Sequence, residues 1–203
     1  MENTGTSLGP TAYIFIGRSG CGKGTQVELF KKELDEKTQT NTIHIETGSL
    51  LRSFTKDSTS YTAERTGNVI YTGGLMPESV VIFLWMNYLV ANFTGKESMI
   101  FDGAPRKINE AILLDGTLRF YDIKRYKVIY INVSRQWATD RLLGRQRKDD
   151  STDAIKKRMD WFENDVMESV DFFKADQHCD FIEINGEQSI EDVHKEVMEK
   201  LKI

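Results

Sequence analysis

Residues 17 to 26 read Gly17-Arg18-Ser19-Gly20-Cys21-Gly22-Lys23-Gly24-Thr25-Gln26. Glycines at this density let successive backbone N–H groups turn inward around an anion, a lysine adds a full positive charge, and a hydroxyl can meet a metal ion held by the same anion. The chemistry is that of a phosphate cradle. Gly20, Cys21, Gly22, Lys23, Gly24 and Thr25 would surround nucleotide phosphates, with Lys23 on the β- and γ-phosphates and Thr25 toward Mg²⁺. The strict pattern sets Ser or Thr directly after the lysine; here Gly24 intervenes. Cys21 reads first as a small residue that fits the loop, and second as a thiol whose pKa the surrounding amides lower.

Further along lie arginines that could share one anionic substrate: Arg52, Arg106, Arg141, Arg145, Arg147 and Arg158. A planar guanidinium fork matches phosphate oxygens. Arg141 and Arg145 are four residues apart and so share a helix face. Asp102 precedes Gly103-Ala104-Pro105-Arg106 and follows an apolar run. The histidines, His44, His178 and His194, are scattered and match no metal or triad spacing.

These side chains need a frame, and the chain alternates short apolar runs with helical stretches. Runs at residues 13–16, 42–45, 98–101, 127–132 and 181–184 predict strands rich in β-branched and aromatic residues. Helices are expected from Lys23 to Leu34, Gly48 to Phe54, Pro77 to Phe93, Asn109 to Tyr121, Arg135 to Leu143, Thr152 to Phe173 and Ile190 to Leu201. Pro77 is expected in a first turn. Strands separated by helices imply a parallel sheet covered on both faces. Asp102 then falls at a strand's carboxyl end, where open α/β sheets bind ligands.

Composition bounds the rest. A chain of 203 residues suffices for one α/β domain with small inserts. Net charge is −4, from 27 basic and 31 acidic residues, so a broad nucleic-acid-binding face is excluded and positive charge must be local. Two cysteines, Cys21 and Cys179, make neither a disulfide framework nor a zinc site. The longest apolar run, Val80 to Met86, is far short of a membrane span of about 20 residues. No signal peptide is evident, and a cytoplasmic monomer is expected.

The loop, Thr47-Gly48-Ser49-Leu50-Leu51-Arg52, Gly73-Gly74-Leu75-Met76-Pro77, Asp102-Gly103-Ala104-Pro105-Arg106 and the arginine set occur in the order found in adenylate kinases. From about Tyr13 to Lys202 the chain resembles that family, in a form with a very short lid. The resemblance implies a P-loop three-layer α/β fold around a five-stranded parallel sheet. It makes 1–203 a single kinase domain, with a small helical acceptor-binding flap at 47–76 and a minimal lid at 144–150. It implies reversible phosphoryl transfer from Mg·ATP to a nucleoside monophosphate, without zinc. Lys23, Arg106, Arg141, Arg145, Arg147 and Arg158 would be catalytic. Arg141, Arg145 and Gln188 would join the loop on ATP. Thr47, Arg52, Gly74, Leu75, Met76, Gly103, Arg106, Glu110, Arg147 and Arg158 would hold the acceptor. Asp102 would hold Mg²⁺ through water.

Two departures qualify the match. Only Gln146 separates Arg145 from Arg147, which predicts weaker exclusion of water and measurable ATP hydrolysis without acceptor. Glu110 stands where adenylate kinases carry a Gln that reads the adenine edge. An amide donates and accepts, whereas an ionised carboxylate only accepts. AMP is the first expectation; GMP, a pyrimidine monophosphate, or a non-catalytic nucleotide-binding module are the alternatives. If the register slips by one residue, Asn109 reads the base instead.

Overall fold

The computed structural model describes residues 10–39, 41–145 and 150–203. Five parallel strands form one sheet: β1 (Ala12–Gly17), β2 (Ile43–Glu46), β3 (Met99–Asp102), β4 (Tyr126–Asn132) and β5 (Cys179–Asn185), in the order β2-β3-β1-β4-β5. The chain crosses from one side of β1 to the other between β3 and β4. That reversal of direction opens a crevice at the carboxyl ends of β1 and β3.

Strand alternation divides the core in two. Ala12, Ile14 and Ile16 of β1 and Val128 and Tyr130 of β4 face one side. Tyr13, Phe15, Ile129 and Ile131 face the other. Helices α4 (Glu78–Asn92), α5 (Ile108–Phe120) and α8 (Met167–Ala175) cover the first side, with Trp85 edge-on to Phe101 at 5.9 Å. Helices α1 (Lys23–Thr38), α6 (Arg135–Arg145) and α9 (Ile190–Leu201) cover the second through Val27, Phe30, Leu142, Val193 and Val197. β3 is buried along its whole length, whereas β5, at the sheet edge, is only partly so.

The segment 47–76, expected to form a flap, folds into α2 (Thr47–Asp57) and α3 (Tyr61–Tyr71), packed on each other. Its return passes through Gly73, whose φ of +68° suits a residue without a side chain. A Cβ there would lie 2.6 Å from the Ala154 backbone, so the flap's exit rests on α7 (Thr152–Trp161).

Two expectations need correction. Pro77 is the N-cap of α4, at φ −55° and ψ 131°, one residue before the first turn. The helix expected from Thr152 to Phe173 is interrupted: Phe162–Val166 form a π-helical turn between α7 and α8. Among the described residues, no helix is long and apolar enough to cross a membrane.

Candidate active site

A cavity of about 500 Å³ opens at the carboxyl ends of the strands. The phosphate loop forms one wall. β1 stops at Gly17, a turn closes with Cys21 N–H donating to the Arg18 carbonyl at 3.1 Å, and α1 begins at Lys23. Gly22 is the N-cap at φ +89°, a conformation that side-chain-bearing residues rarely adopt. No side chain caps α1, and its first turn holds no acid. Its leading N–H groups and dipole therefore face the cavity ready for an anion. By contrast, Ser60, Ser151 and Ser189 cap α3, α7 and α9 with their hydroxyls.

Gly20, Gly22, Lys23, Gly24 and Thr25 line the cavity. The Cys21 thiol does not: it is 3% exposed and packs in the core beneath the loop. Burial pushes that thiol up, more than Lys23 pulls it down. The thought of an activated cysteine is thus corrected, because low-dielectric burial disfavours the thiolate.

Opposite the loop, Lys23 Nζ donates to Asp102 Oδ1 at 2.5 Å. Burial works against both charges, but each holds the other ionised: the lysine pKa lies above its usual value and the Asp102 carboxyl well below. His44 also lines the cavity, with Nε2 3.8 Å from Asp102 Oδ2, beyond hydrogen-bond reach. Thr25 and Asp102 offer hard oxygen donors to the same space. That donor set fits Mg²⁺, which prefers oxygen ligands and keeps several waters.

Several residues expected to hold an acceptor gather on the β2–β3 side. Arg52, on α2, donates through Nη2 to Glu46 Oε1 at 2.9 Å. Arg106 donates through Nε to the Gly103 carbonyl at 2.7 Å, and its guanidinium lies 5.3 Å over the Trp161 ring. Gly74, Met76 and Gly103 line the cavity; Leu75, between the first two, does not. Thr47 is 1% exposed, and its hydroxyl has no protein hydrogen-bond partner, an unmet polar group beside Gly103.

The remaining cations enter from the other side. Arg141 and Arg145 on α6 and Arg158 on α7 line the cavity. Arg145 grips Asp150 with two 2.9 Å bonds, and Arg158 Nη1 donates to the same carboxylate at 2.7 Å. Burial raises the Asp150 carboxyl, but the two arginines outweigh it and hold it below the usual range. Arg141 stacks on Trp137 at 4.5 Å. Arg147 lies outside the described residues.

Besides Cys21 and Leu75, three assigned residues sit apart from the lining: Thr47, Gln188 and Glu110. Gln188 spends its amide N–H groups on the Asn185 carbonyl and on Glu196. Glu110 is 1% exposed, and its Oε2 accepts from the Arg106 backbone N–H at 3.0 Å, bracing the start of α5. Burial, helped by the Glu78 carboxylate and opposed by Arg106 and Lys107, pushes the Glu110 carboxyl up.

Several lining residues carried no motif. His44 and Glu46 alternate along β2, so one strand face brings both to the crevice. Trp161 stands three residues after Arg158 and shares its helix face, a spacing present in the sequence but marked by no motif. Arg18, in the loop itself, bonds Glu163 in the π turn at 2.9 Å.

The adenylate kinase family model matches residues 15–178. The chain belongs to the adenylate kinase family. It is 30% identical over 187 residues to the adenylate kinase 1 of Nostoc sp., covering 92% of this chain and 96% of that one. To the adenylate kinase of Porphyromonas gingivalis it is 33% identical over 164 residues, covering 79% and 80%. To that of Rickettsia rickettsii it is 28% identical over 222 residues, covering 94% and 98%. That alignment is longer than this chain's 203 residues, so the Rickettsia adenylate kinase carries segments that this chain lacks. As a member of the family the chain is a nucleoside monophosphate kinase, a phosphotransferase built on the parallel sheet and phosphate loop described above.

Proposed function

We propose that this kinase transfers the γ-phosphoryl group of Mg·ATP reversibly to AMP, giving two ADP, in the cytoplasm. The observation that carries the reading is convergence. Lys23, Arg52, Arg106, Arg141, Arg145 and Arg158 come from five segments of the chain and line one cavity at the uncapped start of α1. In this reading the loop and Lys23 hold the donor phosphates. Arg52 and Arg106 hold the acceptor phosphate. Arg141, Arg145, Arg158 and Arg147 gather on the transferring group. The acceptor phosphate is already an anion, so no side chain has to act as nucleophile. Catalysis is alignment plus neutralisation of charge. Mg²⁺, held by Asp102 through water and by Thr25, would supply positive charge to the donor phosphates.

AMP is favoured by the names of the relatives, adenylate kinases, and the environment of Glu110 is compatible with it. A neutral carboxyl donates through O–H and accepts through C=O, as a glutamine amide does, and so matches N1 and N6–H₂ of adenine. Burial drives Glu110 toward that neutral form. The unpartnered Thr47 hydroxyl, buried beside Gly103, would supply a second polar contact for an acceptor that reaches it.

The test is an acceptor panel of AMP, GMP, CMP, UMP and deoxynucleoside monophosphates with Mg·ATP, read by coupled detection of diphosphate. AMP should give the highest kcat/KM. A preference for GMP or CMP would replace AMP with that acceptor, and no turnover of any acceptor would make the chain a nucleotide-binding module.

A further inference from the structure

Trp161 is the large side chain of the cavity that neither the phosphate loop nor the arginine set accounts for. It ends α7, three residues after Arg158 and on the same face. Its indole Nε1–H donates to the Gly73 carbonyl at 3.1 Å, and its ring face carries the Arg106 guanidinium at 5.3 Å. Gly73 is the flap's exit, seated on Ala154 of the same α7 helix. Immediately beyond Trp161 the chain is anchored, with Phe162 fully buried and Glu163 bonded to both Arg18 and Arg135.

The two acceptor-side arginines are therefore held in different ways. Arg52 spends an Nη donor on a carboxylate, Glu46. Arg106 is steadied by a carbonyl on Nε and by an aromatic face. A cation–π contact attracts the guanidinium without consuming an N–H donor. It leaves the Nη groups for the oxygens of a phosphate: no carboxylate is hydrogen-bonded to them among the described residues, although Glu110 and Asp102 are near enough to act on the guanidinium by charge. The same indole, through its other edge, is tied to the flap.

We propose that Trp161 is a positioning residue of the acceptor-phosphate site. It orients Arg106 with the phosphate-facing donors unspent and couples that arginine to the flap exit through Gly73. Acceptor binding that moves the flap thereby moves the support under Arg106, so the two are set together. The inference rests on the reading that Arg106 grips the acceptor phosphate.

The test combines two variants with a spectroscopic probe. Trp161→Phe keeps the ring and loses the N–H bond; acceptor KM should rise about three- to tenfold. Trp161→Leu also loses the cation–π face; acceptor KM should rise about tenfold or more while KM for ATP stays within about twofold. In protein labelled with 5-fluorotryptophan, the ¹⁹F line that vanishes in Trp161→Phe should shift on saturation with AMP, the buried Trp85 serving as internal reference. An acceptor KM for Trp161→Leu within about twofold of wild type, a parallel rise of both KM values, or a Trp161 line indifferent to AMP would overturn the proposal. If Trp161→Leu does not fold, Trp161→Phe and the ¹⁹F line decide. A wild-type enzyme that phosphorylates no monophosphate sinks the kinase reading instead, and the Trp161 line with AMP still decides this one.

Discussion

Lys23 and Asp102 meet at 2.5 Å although 79 residues separate them. The sheet makes the pair: β1 and β3 are neighbours, with Phe15 opposite Asp102 in register, and the loop after β1 folds back over the end of β3. Both side chains are largely buried, so neither charge is stable there without the other or without a ligand.

Removing that lysine should affect both catalysis and stability. Lys23→Ala withdraws the charge facing the donor phosphates, and transition-state stabilisation should fall by about 3–5 kcal/mol. Arg106→Ala should do the same on the acceptor side. A steady-state kcat/KM within about tenfold of wild type for either variant would remove the assigned role. Lys23→Ala should also lower the urea midpoint, because Asp102 is left buried without its partner.

The Asp150 carboxylate, 1% exposed at its side chain, joins α6 to α7 by accepting from Arg145 and Arg158. Its pKa is depressed in the fold. A depressed carboxyl contributes stability that is present above its unfolded value, near 3.9, and is lost as pH falls through the folded value. Asp150→Asn should therefore cost about 1–3 kcal/mol at neutral pH. The gap to wild type should close progressively below about pH 4. Urea titrations at neutral and acidic pH read this directly, and a gap independent of pH would contradict it.

Glu46 occupies an Nη donor of Arg52 that, under the proposed function, would take the acceptor phosphate. Both side chains are about half exposed, at 42% and 55%, so the pair is worth at most about 1 kcal/mol. A binding phosphate must displace the carboxylate. Glu46→Gln should lower acceptor KM by up to about fivefold with kcat little changed. An unchanged or higher KM would show instead that Glu46 helps to aim Arg52.

Much of this frame was legible in the residues because apolar period and glycine placement respond to the same forces that build the sheet. The helix read from Ile190 to Leu201 is α9 to the residue, since Ser189 caps it and its apolar face repeats cleanly. What escaped depends on three-dimensional neighbours. The π turn at Phe162–Val166 inserts a slip that helical spacing does not announce. Cys21 sits in the loop by sequence, yet its thiol turns under it. His44 matched no ligand pattern, because its approach to Asp102 exists only once β2 pairs with β3. In the site, charged residues were readable one by one; which carboxylate or indole each would meet was not.

The short connection between α6 and α7 bears on how well water is excluded. Arg145 ends α6 and Ser151 caps α7, so residues 146–150 are all that joins them. With so little chain to close over the phosphates, ATP hydrolysis in the absence of acceptor should be measurable, above about 0.1% of the transfer rate. Release of inorganic phosphate from Mg·ATP without any monophosphate reads it, and a slower rate would show that this connection shields the donor as well as a longer one.

The acceptor preference should itself depend on pH. Glu110 faces Arg106 and Lys107, which favour its ionisation, and Glu78, which opposes it; burial outweighs them and raises its pKa. Below that raised value the carboxyl is neutral and, under the proposed function, would read adenine as an amide would, once its Oε2 is released from the Arg106 N–H. Above it the carboxylate only accepts, loses its match to N1 of adenine, and gains one to the N1–H and N2–H₂ of guanine. The ratio of kcat/KM for AMP over GMP should fall as pH rises through the Glu110 pKa. Glu110→Gln should keep the AMP preference high and flat across the same range. Stability follows the same sign: a group with a raised folded pKa loses its contribution as pH rises, so Glu110→Gln should gain on wild type toward alkaline pH. If wild type and Glu110→Gln show the same pH slope in the AMP to GMP ratio, Glu110 does not read the base, and Asn109, one position away, becomes the residue to substitute.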